Sequence, residues 1–150
     1  METLADFNFQ IVFQTVLAVI LGAIIGTERE IKRKWAGIQT YSLVSLGSCI
    51  FTLISIELFN SSIGISSVNF DPSRIVQAVA VGIGFLGAGV IFQRSSRVEG
   101  LTTAAGLWTV SAIGIAVGAQ LYFLAIITTS LVFLILFCLG FLEKKYLKKK

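Results

Sequence analysis

The chain has 150 residues, 55% of them hydrophobic and 13% charged, with a formal net charge of +4. A soluble domain carries about a quarter charged residues, so this composition excludes one and indicates an integral membrane protein of one domain. There is no histidine, which removes the usual general base, proton switch and transition-metal ligand, and no enzyme is expected.

Apolar spans at 9–26, 40–59, 75–92, 103–119 and 121–142 predict an all-α integral membrane protein, a bundle of five transmembrane helices forming a single domain over 1–150. Each span is about 17 to 22 residues, enough at the helical rise to cross roughly 30 Å of hydrocarbon. Arg29, Lys32, Arg33 and Lys34, then Arg94 and Arg97, then Lys144, Lys145, Lys148, Lys149 and Lys150 fall on one side. These are eleven of the twelve basic residues, and only Arg74 lies opposite. The positive-inside bias therefore predicts the N-terminus outside and the C-terminus cytoplasmic, in a cell membrane. Basic residues so placed meet membrane lipid, and nucleic acid is not an expected partner.

The first ten residues lack the basic region and cleavage site of a signal peptide, so the first span is read as a true helix. Its small and polar residues, Gln10, Gln14, Ala18, Gly22 and Gly26, recur every fourth place and end in a Gly-x-x-x-Gly pair, which favours a close helix crossing. In the basic loop that follows, Glu28 and Lys32 are spaced to pair at i, i+4, and Trp35 suits the headgroup layer.

Along the second span Ser45, Ser48, Thr52 and Ser55 form one stripe, which must face protein or water and is a candidate polar path. Glu57 stands near the outer end of that span. The outer loop closes with Asp71-Pro72-Ser73-Arg74, where Asp71 reads as a helix N-cap, Pro72 as the first helical residue, and Arg74 as an ion-pair partner for Asp71. A competing reading has Asp71 and Glu57 together holding hydrated Mg2+, which commonly uses one or two carboxylates and keeps several waters.

The third span carries Gly82, Gly84, Gly87 and Gly89 in an unbroken apolar run. In lipid such residues let helices approach closely, so this stretch is expected to be the packing axis of the bundle. Gly82-x-Gly84-x-x-Gly87 also matches the dinucleotide fingerprint, but without the strand, turn and acidic residue that motif needs. A stripe of Gln77, Ala80, Gly84 and Gly87 is expected to meet the hydroxyl stripe of the second span. The fourth span opens with Gly100-Leu101-Thr102-Thr103-Ala104-Ala105-Gly106-Leu107-Trp108. The fifth is almost wholly Leu, Ile and Phe and is expected on the lipid-facing rim or at a subunit contact of a homo-oligomer. Cys49 and Cys138 both sit in apolar runs and read as reduced. Gly37-Ile38-Gln39-Thr40 echoes Gly100-Leu101-Thr102-Thr103, as a parallel repeat would.

Gly26-x-Glu28-Arg29, Ala36-Gly37-Ile38-Gln39-Thr40, Asp71-Pro72-Ser73-Arg74, Gly82 to Gly89 and Gly100 to Trp108 together resemble the MgtC/SapB family of bacterial and archaeal membrane proteins, in order from about Leu17 to Tyr122. The resemblance implies a multi-pass cytoplasmic-membrane protein tied to growth at low magnesium and, in some pathogens, to survival inside host cells. It implies a regulator contacting other membrane proteins, the proton-driven ATP synthase among them. The family's acidic motif falls on Asp71, Pro72 and Arg74, and its inner-loop acid on Glu28. Family members commonly carry arginine where this chain has Gln39, glutamine at Ala78 and a small polar residue at Val81. Larger members add a C-terminal soluble domain, and a short form without it is expected here.

Two functions follow as expectations. One is a non-enzymatic regulator whose inner loops and glycine-rich helix faces dock onto a partner. The other is a magnesium-binding carrier with Glu57 and Asp71 as outer ligands. No span carries a proline or a charge near its centre, which favours the regulator.

Overall fold

Lipid offers the backbone no hydrogen-bonding partner but itself, so apolar sequence of this length is held to the helix. The computed structural model describes residues 4–62, 71, 73–94 and 97–140. In chain order these form α1 (Leu4–Ile31), α2 (Ile38–Ser62), α3 (Ser73–Gly89), a short pair β1 (Phe92–Arg94) and β2 (Arg97–Glu99), α4 (Leu101–Gly118) and α5 (Tyr122–Leu134). A π-helical turn, Ile135–Leu139, continues α5. Pro72, most of the loop before it and the lysine tail lie outside the described residues.

Four of the helices, α1, α2, α4 and α5 with its π turn, are long and apolar enough to cross a membrane. The third is shorter than expected. The run to Phe92 reads as helix by its apolarity, but α3 stops after 17 residues. Val90 and Ile91 turn back onto the carbonyls of Gly87 and Ala88, and Phe92 enters β1. β1 pairs antiparallel with β2, in the register Phe92↔Glu99, Gln93↔Val98, Arg94↔Arg97. Phe92 meets the ring of Trp35 edge-on, with centroids 4.9 Å apart.

Two helices end in the same way. The Lys34 N–H donates to the Arg29 carbonyl and that of Arg33 to Glu30; likewise Leu121 donates to Ala116 and Gln120 to Val117. Both are Schellman ends, but with Arg33 (φ 51°) and Gln120 (φ 63°) at the left-handed position where glycine is usual. At the start of α4 glycine is obligatory. Gly100 has φ 92°, and a Cβ there would overlap the Val90 carbonyl. Gly37 and Gly100, the two glycines of the internal echo, each stand one residue before a helix and accept the first N–H of its ladder, from Tyr41 at 3.1 Å and Ala104 at 2.9 Å.

The packing axis of the chain is α4, which touches all four other helices. Without a hydrophobic drive between helices in lipid, close backbone approach supplies the contact, and small residues permit it. On α4, a Cβ at Gly114 would overlap the Ser45 carbonyl, and one at Gly118 would lie 2.7 Å from that of Cys49. On α1, a Cβ at Gly22 would come within 2.7 Å of the Tyr41 carbonyl, and one at Gly26 within 2.6 Å of the Ile38 Cα. In α3 only Gly87 makes such a contact, 3.6 Å from the Ala104 Cβ. Cβ atoms at Gly82, Gly84 and Gly89 would find nothing within 4 Å among the described residues.

The hydroxyl stripe of α2 accordingly packs on α4 and α1, and only Ser48 of it also borders a cleft toward α3. Gln77 is exposed. α5 lies on the rim, with Phe123 80% exposed. Hydroxyls on the helices close onto their own preceding turns, as Thr15 does on Ile11, Thr109 on Ala105 and Thr129 on Ala125.

Candidate functional site

The resemblance motifs gather at two ends of the bundle. At the basic end, α1 runs past its apolar stretch and buries two charged residues in its last turns, Glu28 and Arg29, 4% and 3% exposed. The Glu28 carboxylate accepts from Arg29 Nε through one oxygen and pairs with Lys32 through the other. Burial of charge is costly unless it is paired, and here one carboxylate serves two cations.

Lys32 carries the cluster to the far end of the chain. Its Nζ donates to the Leu136 carbonyl at 2.8 Å, inside the π turn, and lies 6.0 Å from the centre of the Phe137 ring. A π turn interrupts the i→i−4 ladder, and an ammonium group is a suitable donor for a carbonyl displaced from it.

The neighbouring motifs close round this cluster. A Glu30 carboxylate oxygen accepts the Ile38 N–H at 3.2 Å, capping α2, and a Cβ on Gly37 would overlap that carboxylate. Buried Tyr41 donates its hydroxyl to the Thr103 carbonyl at 3.3 Å. It reaches α4 over Gly106, where a Cβ would overlap the hydroxyl. The glycines of the Gly37 and Gly106 segments are thus the spaces into which Glu30 and Tyr41 fit. Sequence reasoning passed over Tyr41, and it placed Thr103 and Glu30 only as members of the Gly100–Trp108 segment and the basic loop. A tyrosine in an apolar run, with a Gly-rich segment elsewhere, was the signal available.

Ser45, Ser48, Thr52 and Ser55 are all buried, in the seam between α2, α4 and α1. Thr52 donates to the Ser48 carbonyl at 2.8 Å, while the Ser45 Oγ has no hydrogen-bond partner among the described residues. Gly114 presses against Ser45 and Ser48 and Gly118 against Thr52, while Ser48 also borders the cleft toward α3.

At the opposite end, α3 begins with the Ser73 N–H donating to Asp71 Oδ1 at 2.9 Å. Asp71 therefore caps α3, and the hydrogen bonds from Ser73 hold its exposed carboxyl below the usual carboxylate range. The Arg74 N–H donates to the Asp71 main-chain carbonyl at 3.2 Å. Pro72 lies outside the described residues.

Glu57 stands elsewhere. It lines a cleft of about 650 Å³ formed by α1, α2 and the α4–α5 turn, with Gln10, Gln14, Asn60 and Gln120 as its polar neighbours and Ile11, Ile50, Leu53 and Ile54 among its walls. Asp71 is not among the lining residues. Gln14 is buried and donates to the Val117 and Gly118 carbonyls at 2.9 and 3.1 Å, binding α1 to the last turn of α4. Among the described residues no group of three or more Asp, Glu, Cys or His side chains converges as a metal cage.

A second cleft, of about 710 Å³, separates α2 from α3. Gly47 and Gly82 line it on its two sides, with Leu43, Phe51, Val79 and Leu86.

A family model described as "MgtC family" matches residues 15–145. The chain is 42% identical over 119 residues to an uncharacterized protein of Haemophilus influenzae, covering 78% of this chain and 50% of that one. It is 38% identical over 127 residues to a putative magnesium transporter, YhiD, of Escherichia coli, covering 85% and 59%. Protein MgtC of Brucella abortus is 39% identical over 112 residues, covering 75% and 44%. The chain thus spans about half the length of these relatives. No solved structure matches.

Proposed function

The chain belongs to the MgtC family, and from that premise we propose that it is a non-enzymatic, multi-pass membrane protein of magnesium homeostasis or low-magnesium adaptation, acting by binding and regulating another membrane protein. The observation that carries this reading is the free face of α3. Gly82 and Gly89 share one side of α3 with Phe85, which is 81% exposed, and Gly84 stands on the opposite side; a Cβ at any of the three glycines would meet nothing within 4 Å in the described chain, though Gly82 borders the cleft toward α2. Glycine in a membrane helix weakens nothing when a second helix lies on it, and without one it gives up packing for no return. The proton-driven ATP synthase, whose subunits are membrane helices, is the partner the resemblance implies.

Packing supports the regulator over the carrier. The polar stripe a carrier would use is packed tightly by Gly114 and Gly118, whereas Gly82, Gly84 and Gly89 of α3 have room around them.

The test is growth at low magnesium in a strain lacking its own copy of the protein, complemented with Gly82→Leu and Gly84→Leu variants. Because a Cβ at either position would meet nothing within 4 Å in the described chain, the variants are expected to insert and fold as the native protein does while failing to support growth. Full growth with both would overturn the reading. So would magnesium flux into proteoliposomes holding the purified protein alone, which would establish a carrier.

A further inference from the structure

The cleft that holds Glu57 changes character with depth. Its rim carries Glu57, Gln10, Asn60 and Gln120, and its deeper walls include Ile50 and Leu53. Glu57 is within the last two turns of α2, about 8 Å below the helix end, and Ile50 is about 10 Å deeper still. Polar groups thus stand at headgroup depth with an apolar slot beneath them, between helices that are long enough to cross a bilayer.

Among the described residues Glu57 is the only charged one that lines the cleft. This decides among occupants. An inorganic cation would use the rim alone and gain nothing from the slot. An acidic phospholipid would bring a net negative head to a carboxylate with no lysine or arginine beside it. A choline head is cationic but has no N–H to donate. An ethanolamine head has an ammonium that can donate to a carboxylate, and its phosphate accepts from side-chain amide groups such as those of Gln10, Asn60 and Gln120.

We propose that this cleft binds an ethanolamine-headed phospholipid, its ammonium on Glu57, its phosphate among the rim amides and one acyl chain along Ile50 and Leu53. The site is independent of the α3 face, since no described residue lines both this cleft and the one between α2 and α3.

The experiment is native mass spectrometry of the intact protein in a mild non-ionic detergent, with equimolar phosphatidylethanolamine, phosphatidylglycerol and phosphatidylcholine of identical acyl chains. The native protein is expected to retain the ethanolamine lipid over the glycerol lipid by about fivefold, the scale of one partly exposed ion pair. Glu57→Gln is expected to bring the ratio to about one, and Glu57→Lys to invert it. Because each ratio is read within one sample, a lower yield of a variant does not affect it. Equal retention by the native protein, an unchanged ratio in Glu57→Gln, or loss of the ethanolamine adduct alone on adding magnesium chloride would overturn the proposal, the last by giving Glu57 to a metal.

Discussion

Lys32 and Leu136 are joined by a 2.8 Å hydrogen bond from the ammonium of one to the main-chain carbonyl of the other. The two residues are far apart in sequence, and their bond ties the end of α1 to the irregular turn of α5. Lys32→Met is expected to lower stability by about 1–3 kcal/mol, since it removes a charged donor from both a carbonyl and Glu28. Glu28→Gln is expected to cost more, about 3–5 kcal/mol, because it leaves Arg29 buried without its counter-charge. Unfolding of the purified protein in detergent, followed by circular dichroism, gives both values and their order.

Tyr41 and Gly106 form a pair whose coupling is measurable. Gly106→Ala is expected to destabilise by about 1–3 kcal/mol, as overpacking does. Adding Tyr41→Phe to it should recover part of that loss, because the hydroxyl is the atom a Cβ would overlap. A double-mutant cycle showing simple additivity would contradict the packing described.

Arg33 and Gln120 hold left-handed conformations that cost a side chain roughly 1 kcal/mol or more. Arg33→Gly and Gln120→Gly are therefore each expected to raise stability by up to about 1 kcal/mol. Gly100→Ala, at φ 92° and with no room for a Cβ, is expected to abolish folding or come close to it. Thermal melts of the three variants side by side test the sign at each position.

Asp71 gives a pH dependence with a definite sign. Its folded-state pKa is depressed by the Ser73 hydrogen bonds, so its contribution is present above the unfolded value of about 3.9 and is lost as pH falls through the folded value. The N-terminal amides of α3 are expected to exchange hydrogen faster, relative to the rest of the bundle, below about pH 4. Asp71→Asn keeps a capping oxygen and should remove that dependence, whereas Asp71→Ala should show rapid exchange at every pH. Growth at low magnesium with Asp71→Asn then separates the cap from any role for the charge.

Features that depend on local chemistry were legible in the sequence. The apolar runs marked the helices, Asp71 directly before Pro72 announced the cap, and the spacing of Glu28 and Lys32 announced their pair. The leucine-rich fifth span signalled its place on the rim. What was not legible depended on which helix lies against which. Glycine content pointed to α3 as the packing axis, but Gly114 and Gly118 in α4 make the close approaches, since a glycine's neighbour is not written in its own segment. Phe92 reads as membrane helix by apolarity, but it pairs with Glu99 across the short hairpin and meets the Trp35 ring, neither of which its own segment displays. The Glu57 cleft draws its amides from α1, α2 and the α4–α5 turn, a grouping that no single stretch of sequence displays.

The length of α3 has one more consequence. At 17 residues it rises about 26 Å, short of the roughly 30 Å of hydrocarbon that the 25-residue α2 beside it can span. An α3 that crosses the bilayer therefore draws the lipid surface inward round its glycine face, at a cost of fractions of a kcal/mol per ångström. Thick, sterol-like or long-chain membranes raise that cost and thin ones relieve it. A partner helix of similar shortness would share the same dimple, so the membrane itself would help to choose which proteins come to rest there.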